Sequence, residues 1–355
     1  MTPLLEDGQR WRVVPGDTLE LLPGLPDQSV DAVVCDPPYG IDIKNHSWDG
    51  TAIRRQARQA HGRMTPGQAF ERWTTTWAAE LHRVLKPGGH VVAFGATRMT
   101  HRLTSGLEDG GLEIRDMLMW IFGPGIPKSR RFDGGRATTL KPFYEPIVLA
   151  RRPVDGTTTD NLKRHGTGAL NVDACAVRWP DEPGMRRWPA HMIASHDEHC
   201  QPNRCADRCP VDEIEAQRPG ASRFLYVTKT RRSERDAGCE HLPARRLAHF
   251  PGATNPHKKP LHNPHPTVKP IELMRWLVRL ITPPGGLVLD PFCGSGSTGI
   301  AALLEQRRFL GIERDLDYID IARARITHWS DGTDAAVQEV PPPVRPTRAA
   351  RRRPA

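Results

Sequence analysis

The chain alternates short β-branched runs with segments whose apolar residues recur every three or four positions. Arg12 to Val14 is a short strand candidate leading into Gly16-Asp17, and Val30 to Cys35 is a second, richer one. Pro66 to Leu85 has helical period: Phe70, Trp73, Trp77, Leu81 and Leu85 share a face, and Pro66 suits a first turn. Lys86-Pro87-Gly88-Gly89 is expected to end that helix, with His90 to Phe94 the next strand. A further helix, a strand near Leu112 to Phe122 and a strand over Phe143 to Ala150 follow. Ile41 to Thr65 is basic, polar and aperiodic, and reads as a mobile loop.

From about Arg151 to Pro264 the texture changes. Pro, Gly, Arg, His and Cys dominate, and only Ser222 to Thr230 reads as a strand. Order returns with a helix from Pro270 to Ile281, a turn at Pro283 to Gly286 and a strand over Leu287 to Leu289. A helix over Ser297 to Gln306, a strand over Phe309 to Ile312 and a helix over Leu316 to Ile326 complete the pattern. Beyond about residue 331 the chain is rich in Pro and Arg and is expected to be disordered. About seven core strands with helices between them predict an α/β fold, a mostly parallel sheet covered on both faces. Four segments follow from the pattern: 1–150, an inserted loop-rich region at 151–264, 265–330, and a basic tail at 331–355.

Composition narrows the setting. Apolar residues make up 38% and charged residues 26%, which fits a folded protein with a real core. Met1 to Arg12 contains Glu6, Asp7 and Arg10 and no apolar block, and no run is long enough to span a bilayer, so neither a leader nor a membrane partner is expected. Seven unevenly spread cysteines do not form a secreted disulfide framework, and a cytoplasmic protein is inferred. A net charge of +9 favours a polyanion such as nucleic acid, although arginines in the tail supply part of it.

Two strand-to-loop junctions carry the chemistry. Val30 to Cys35 runs into Asp36-Pro37-Pro38-Tyr39, and Gly286 to Leu289 runs into Asp290-Pro291-Phe292-Cys293-Gly294-Ser295-Gly296. Ligands of open α/β sheets bind beyond the carboxyl ends of the strands, so both loops are expected to face one cleft. Gly294, Gly296 and Gly299 match G-x-G-x-x-G, with Glu313 at the next strand's end, as in a dinucleotide fingerprint. Asp290 argues against a dinucleotide, because a carboxylate there would repel a pyrophosphate. S-Adenosylmethionine fits better: it has a ribose, an adenine, an amino acid end and a sulfonium, but no phosphate. Glu313 can take the ribose hydroxyls, Asp290 can face the amino acid end, and Asp17 can contact the adenine.

An exocyclic amino group of a nucleobase is a poor nucleophile, because its lone pair is delocalised into the ring. Two acceptors, the Asp36 carboxylate and the Pro37 carbonyl, would draw it toward tetrahedral geometry. Pro37 and Pro38 preorganise the loop, and Tyr39 can stack on a base flipped out of a duplex.

These residues together resemble the S-adenosylmethionine-dependent DNA methyltransferases that act on amino groups. The stretches that carry the resemblance are Gly16-Asp17, Asp36 to Gly40, Leu85 to Gly89, Glu145 to Ala150, His265-Pro266-Thr267-Val268-Lys269-Pro270, Asp290 to Thr298 and Gly311-Ile312-Glu313. Catalytic motif first and cofactor loop last is the order of the circularly permuted β class. The resemblance implies a Rossmann-like sheet with one reversed strand near its edge, and target recognition in the insert. It implies Asp36, Pro37, Pro38 and Tyr39 as catalytic positions. It implies Asp17, Asp290, Phe292, Gly294, Ser295, Gly296 and Glu313 around the cofactor, with Thr267, Lys269 and Pro270 near its methionine end. Double-stranded DNA is the implied partner, and the resemblance allows a homodimer, for which the sequence offers no interface signature. Asp at the first motif position is more usual for adenine-N6 and Ser for cytosine-N4, so adenine is the expected target and cytosine the alternative. An RNA or protein-amide methyltransferase, or a DNA-binding module without catalysis, stand as further alternatives.

The insert also holds His191, His196, His199, Cys200, Cys205 and Cys209. His196, Cys200, Cys205 and Cys209 have the ligand types of a structural zinc site, with Cys239 a further candidate and a reduced, metal-free loop the alternative. Three basic groups are candidates for phosphate contacts: Arg54, Arg55, Arg58 and Arg63; Lys128, Arg130 and Arg131; and Lys229, Arg231 and Arg232.

Overall fold

In the computed structural model, described residues are 5–41, 49–122, 132–140, 142–178, 186–196, 225–228, 230, 232–245 and 260–331, with Cys200, Cys205, Cys209, Val211, Asp212 and Ala216. The expected tail, His199, Lys128, Arg130, Arg131, Lys229 and Arg231 lie outside them. Among the described residues no helix is long and apolar enough to cross a membrane.

The first half runs β1 (Trp11–Pro15), α1 (Thr18–Leu21), β2 (Val30–Cys35), α2 (Thr51–His61), α3 (Pro66–Val84), β3 (Leu85–Phe94), α4 (Thr100–Asp109), β4 (Glu113–Ile121) and β5 (Tyr144–Arg151). The insert contributes α5 (Thr158–His165), β6 (Val177–Arg178), β7 (Arg186–Arg187), β8 (Met192–His196), β9 (Leu225–Thr228) and α6 (Arg232–Asp236). The last part adds α7 (Ile271–Ile281), β10 (Leu287–Asp290), α8 (Ser297–Leu304), β11 (Arg308–Glu313) and α9 (Leu316–Asp331).

Nine strands form one sheet in the order β1-β11-β10-β2-β3-β5-β4-β8-β9. Only β5 is antiparallel, to β3 on one side and β4 on the other. The other eight strands therefore present their carboxyl ends at the same edge. Residues of β2 alternate between the two faces: Ala32 and Val34 pack with α7, α8 and α9, whereas Val33 and Cys35 pack with α3 and α4. All six β2 residues are buried, as a central parallel strand requires.

Local chemistry explains the element boundaries. Thr65 caps α3, its hydroxyl accepting from the Gln68 amide, while the Gln68 side chain returns a bond to the Thr65 backbone. Phe70, Trp73, Trp77, Leu81 and Val84 form the buried stripe of that helix. The chain then turns directly into β3, so Lys86 to Gly89 belongs to the strand and not to a separate turn. A bulge accommodates it, and Gly88 at φ +77 meets the Asn161 side chain so closely that a Cβ would lie 2.5 Å from Nδ2. Asn161, fully buried in α5, donates from Nδ2 to the Pro87 and Thr167 carbonyls at 2.9 and 2.7 Å.

Three expectations need correction. The segment Ile41 to Thr65 is not wholly a loop, because Thr51–His61 is helical and buries Ile53. Among its described side chains Ile53 is the deeply buried one and Arg55 and Arg58 are exposed, and its other apolar positions are alanines, too small to announce a buried face. The insert adds two strands to the main sheet, which has nine where about seven were expected: β9 falls within the strand expected over Ser222 to Thr230, but β8 was not expected. The reversed strand is consequently interior, not near an edge. β8 was illegible because its buried centre, Ile193-Ala194-Ser195, is short and carries a polar residue.

Ser195 explains how β8 is held. The buried Trp120 indole donates to the Ser195 hydroxyl at 2.7 Å, joining β4 to β8. Ser195→Ala should leave that N–H without its partner and cost about 1–3 kcal/mol, measurable as a lower denaturant midpoint at unchanged slope.

Candidate active site

Four of the eight aligned carboxyl ends frame a single cleft. Its walls include Asp17, Asp36, Pro37, Pro38, Tyr39, Thr267, Lys269, Asp290, Phe292, Gly294, Ser295 and Glu313. Gly296 and Pro270 stand behind that wall, at the amino ends of α8 and α7.

The loop after β10 is shaped by its glycines and braced from several sides. Gly294 has φ +52, and a Cβ there would lie 2.7 Å from Nε2 of His265. Its amide donates to Oε2 of Glu313 at 2.7 Å, while Oε1 of Glu313 accepts from the Arg314 and Asp315 amides, both at 2.9 Å. Burial raises the Glu313 pKa, and these three amides oppose the rise. Gly296 has φ +77 and presses against Ala322 of α9. From the same helix the fully buried Arg325 donates to the Ser295 carbonyl at 2.5 Å and to Oγ of Ser297 at 3.3 Å. Thr18, at the start of α1, donates to the Pro291 carbonyl, and Asp17 caps α1 by accepting from Leu19 at 2.9 Å. Phe292 packs tilted against Trp73 and edge-on against Trp77, each with a centroid separation of 5.5 Å, and with Trp73 gives this side of the cleft an aromatic wall.

Asp290 is 2% exposed. Its Oδ2 accepts from the Thr298 hydroxyl at 2.6 Å and its Oδ1 from the Phe292 amide at 3.0 Å. Burial outweighs those bonds and, with Asp36 and Glu313 nearby, lifts its pKa from 3.8 to about 7. A cationic ligand group here would meet a carboxyl poised to ionise.

The loop after β2 is held by a different set of contacts. Gly40 has φ +66 and abuts Phe70, and its amide donates to Oδ1 of the buried Asp49 at 2.6 Å. Tyr39 donates its hydroxyl to Oδ1 of Asp36 at 2.7 Å, with Oε2 of Glu145 at 3.3 Å. Lys269, 5% exposed, reaches Oδ2 of Asp36 at 2.5 Å and Oε2 of Glu145 at 3.4 Å. Its ammonium also lies 4.8 Å from the Phe94 ring centroid. Burial alone would lower the Lys269 pKa, but Asp36 and Glu145 more than offset it and the net direction is upward. Glu145 is raised by burial, with Lys269 opposing and Asp36 adding to the rise. The Tyr39 phenol rises through burial and these same carboxylates.

Sequence reasoning thus missed Thr18, Asp49, Glu145, Thr298 and Arg325. Only Glu145 and Thr298 lay in motif stretches, where nothing marked them as site residues. Asp49 lay in the segment read as a loop. Lys269, expected near a methionine end, lines the same cleft but points its charge at Asp36.

The four candidate metal ligands lie in another place. One ligand atom from each of His196, Cys200, Cys205 and Cys209 falls within 4.8 Å of the others. Cys239 is not part of that group: it is buried beside α6, its amide bonded to the Asp236 carbonyl at 2.9 Å. His191 does not join it either and is exposed.

A model of the N6/N4 DNA methylase family matches residues 30–324. The chain belongs to this family. As a DNA methyltransferase of the N6/N4 family it is similar to the type II methyltransferase M.HindIII of Haemophilus influenzae, 25% identical over 349 residues, covering 87% of this chain and 93% of the relative. It is also 24% identical over 329 residues to the type II methyltransferase M.BglII of Bacillus subtilis, covering 88% of this chain and 67% of that one. In fold it is similar to the PvuII DNA methyltransferase (cytosine-N4-specific), with a TM-score of 0.55 at 15% identity, covering 92% of this chain and 93% of the other. The methyl donor of an amino-methyltransferase of this kind is S-adenosylmethionine. The cleft of this methyltransferase fits it in character: glycines that admit close approach, aromatic walls, acidic groups and no phosphate cradle.

Two outcomes are expected. If a cationic end of the cofactor lies against Asp290, its binding favours the ionised carboxylate, so affinity should rise by up to about tenfold from pH 6 to pH 8 and be accompanied by proton release. Calorimetry in buffers of different ionisation enthalpy measures both, and Asp290→Asn should abolish the proton release. Lys269→Met removes the charge that opposes the rise in Glu145, so Glu145 should take a proton at higher pH. The acid limb of the pH–rate profile for methyl transfer should then move upward, and adding Glu145→Gln should cancel that movement.

Proposed function

We propose that this methyltransferase transfers a methyl group to adenine-N6 within a specific sequence of duplex DNA, with the target base flipped into the cleft. The observation that carries the reading is the meeting of two loops: Asp36 to Tyr39 faces Asp290 to Ser295 and Glu313 across one cleft. In this reading Glu313 takes the ribose hydroxyls, Asp17 the adenine of the cofactor and Asp290 its amino acid end, with Phe292 against the nucleoside and Thr267 and Pro270 shaping the far wall. When bound, S-adenosylmethionine supplies an electrophilic methyl group carried on a sulfonium.

The chain's own residues then do the rest. Asp36 keeps acceptor capacity on each oxygen beyond the bonds from Tyr39 and Lys269, since a carboxylate has about four lone-pair sites. Asp36 and the Pro37 carbonyl accept the two N–H bonds of the target amino group, which localises its lone pair toward the methyl carbon. As the new C–N bond forms, the amino nitrogen becomes cationic, and Asp36 is placed to take the proton it loses. Pro37 and Pro38 hold these acceptors in place before the base arrives, and preorganised acceptors of this kind are worth about 10²–10³ in rate. Tyr39, its hydroxyl fixed by Asp36, offers a ring face for the base. Cys35 is buried in β2 and its thiol is pushed well above the usual range by burial, beside Asp290 and Asp36, so it supplies no nucleophile.

Residues 1–150 and 265–330 form the two halves of the catalytic domain in this proposal, and 151–264 read the target. Ala52 and Ile53 of α2 line the cleft, and the exposed Arg55 and Arg58 of the same helix, with Arg54, are the candidates for contacts to DNA phosphates beside it. Adenine rests on Asp36 as the first motif residue, and cytosine-N4 is the second reading because the same two acceptors grip either amino group. Transfer of labelled methyl from the cofactor to duplex DNA, followed by digestion to nucleosides, decides between them. N6-methyldeoxyadenosine is expected, and label in N4-methyldeoxycytidine would replace that reading with the second.

A further inference from the structure

We infer that His196, Cys200, Cys205 and Cys209 bind one structural zinc ion that fixes the insert to the carboxyl edge of the sheet. The four ligand atoms all lie within 4.8 Å of one another. Nδ1 of His196 lies 3.5 Å from Sγ of Cys205 and 3.5 Å from Sγ of Cys209. A tetrahedral ion with Zn–S of about 2.3 Å and Zn–N of about 2.0–2.1 Å sets the S···N separation at about 3.5–3.6 Å. Both histidine–cysteine separations therefore already have the value a shared zinc would impose. One histidine and three thiols form a closed, four-ligand set of the kind that structural sites use, with no position left over for substrate. No disulfide joins any of these cysteines.

The surroundings supply the reason for a metal. Among the described residues the local apolar cluster consists of Ala194, Cys209 and Val211, with Cys200 and Cys205 packed against it. Two of those five side chains are aliphatic, the methyl of Ala194 and the isopropyl of Val211, and the other three are proposed ligands, so these described residues supply little apolar surface beyond the ligands themselves. Small, poorly cored segments are commonly stapled by a metal whose binding energy becomes folding energy.

Position gives the site its purpose. His196 is the last residue of β8, which runs parallel to β4 and so ends at the same edge as β2 and β10. The Trp120–Ser195 bond ties β8 into the sheet one residue before His196. A metal held by His196 and the three cysteines that follow would fasten that part of the insert to the edge at which Asp36 and Asp290 stand. DNA must approach this edge to deliver a base to the cleft, an argument that rests on the proposed reaction, whereas the metal site itself does not.

The test is the metal content of the full chain purified under reducing conditions without added metal. One zinc per chain is expected, lost in Cys205→Ser and retained in Cys239→Ser. Exchange of the wild-type protein with Co2+ should give visible bands of a tetrahedral, thiolate-rich site, a readout that does not depend on any variant folding. Absence of stoichiometric zinc together with no such cobalt spectrum would overturn the proposal, as would zinc retained when Cys200, Cys205 and Cys209 are each replaced by Ser. Chelated protein should keep its affinity for cofactor and lose at least tenfold in affinity for DNA; unchanged DNA affinity would leave the metal site standing and overturn its role at the edge.

Discussion

Two carboxylates, Asp36 and Glu145, meet in the half-buried end of the cleft, and burial makes such a pair costly unless a cation joins them. Lys269 is that cation. It bridges 233 residues of sequence to reach Asp36, so the ion cluster joins segments 1–150 and 265–330 as the β1–β11 and β2–β10 pairings also do. Tyr39 completes the cluster from within its own loop. The carboxylate proposed to grip the target amino group is thus fixed in position by a charge supplied from the other end of the chain.

This arrangement depends on the sheet. Eight strands end at one edge, and β2 and β10 are neighbours there although most of the chain lies between them. Permutation of the chain order leaves that adjacency intact, because only the hydrogen-bonded order of strands determines which loops meet. Gly40, Gly294 and Gly296 then let the loops turn tightly, each at positive φ and each pressed against a side chain or backbone from another element. The glycines read as a cofactor motif are therefore also packing contacts, Gly296 and Gly299 with α9 and Gly294 with His265.

Much of this was legible. β2 and β10 announced themselves as apolar runs entering acidic-proline loops, and the helical stripe of α3 matched its buried face at Phe70, Trp73, Trp77 and Leu81, while Leu85 opens β3. What was not legible shares a cause: its role is defined by a partner far away in sequence. Asp49 orders Gly40 from within a segment with no periodic pattern, and Arg325 braces the glycine loop from a helix that reads as ordinary surface and core. β9 fell within the strand expected over Ser222 to Thr230, whereas β8 is a strand because an existing sheet offers it an edge, and it has too little alternation to be recognised alone. Lys269 was found through its motif, but its pairing with Asp36 required the fold.

The central claim is that Asp36 acts on the target amino group and not on the cofactor. Single-turnover methyl transfer to DNA by Asp36→Asn, measured on the same preparation as cofactor affinity, tests it most directly. The account predicts cofactor affinity within about threefold of wild type and a transfer rate lower by at least about 10²-fold. A transfer rate close to wild type, or a loss explained entirely by weaker cofactor binding, would contradict it.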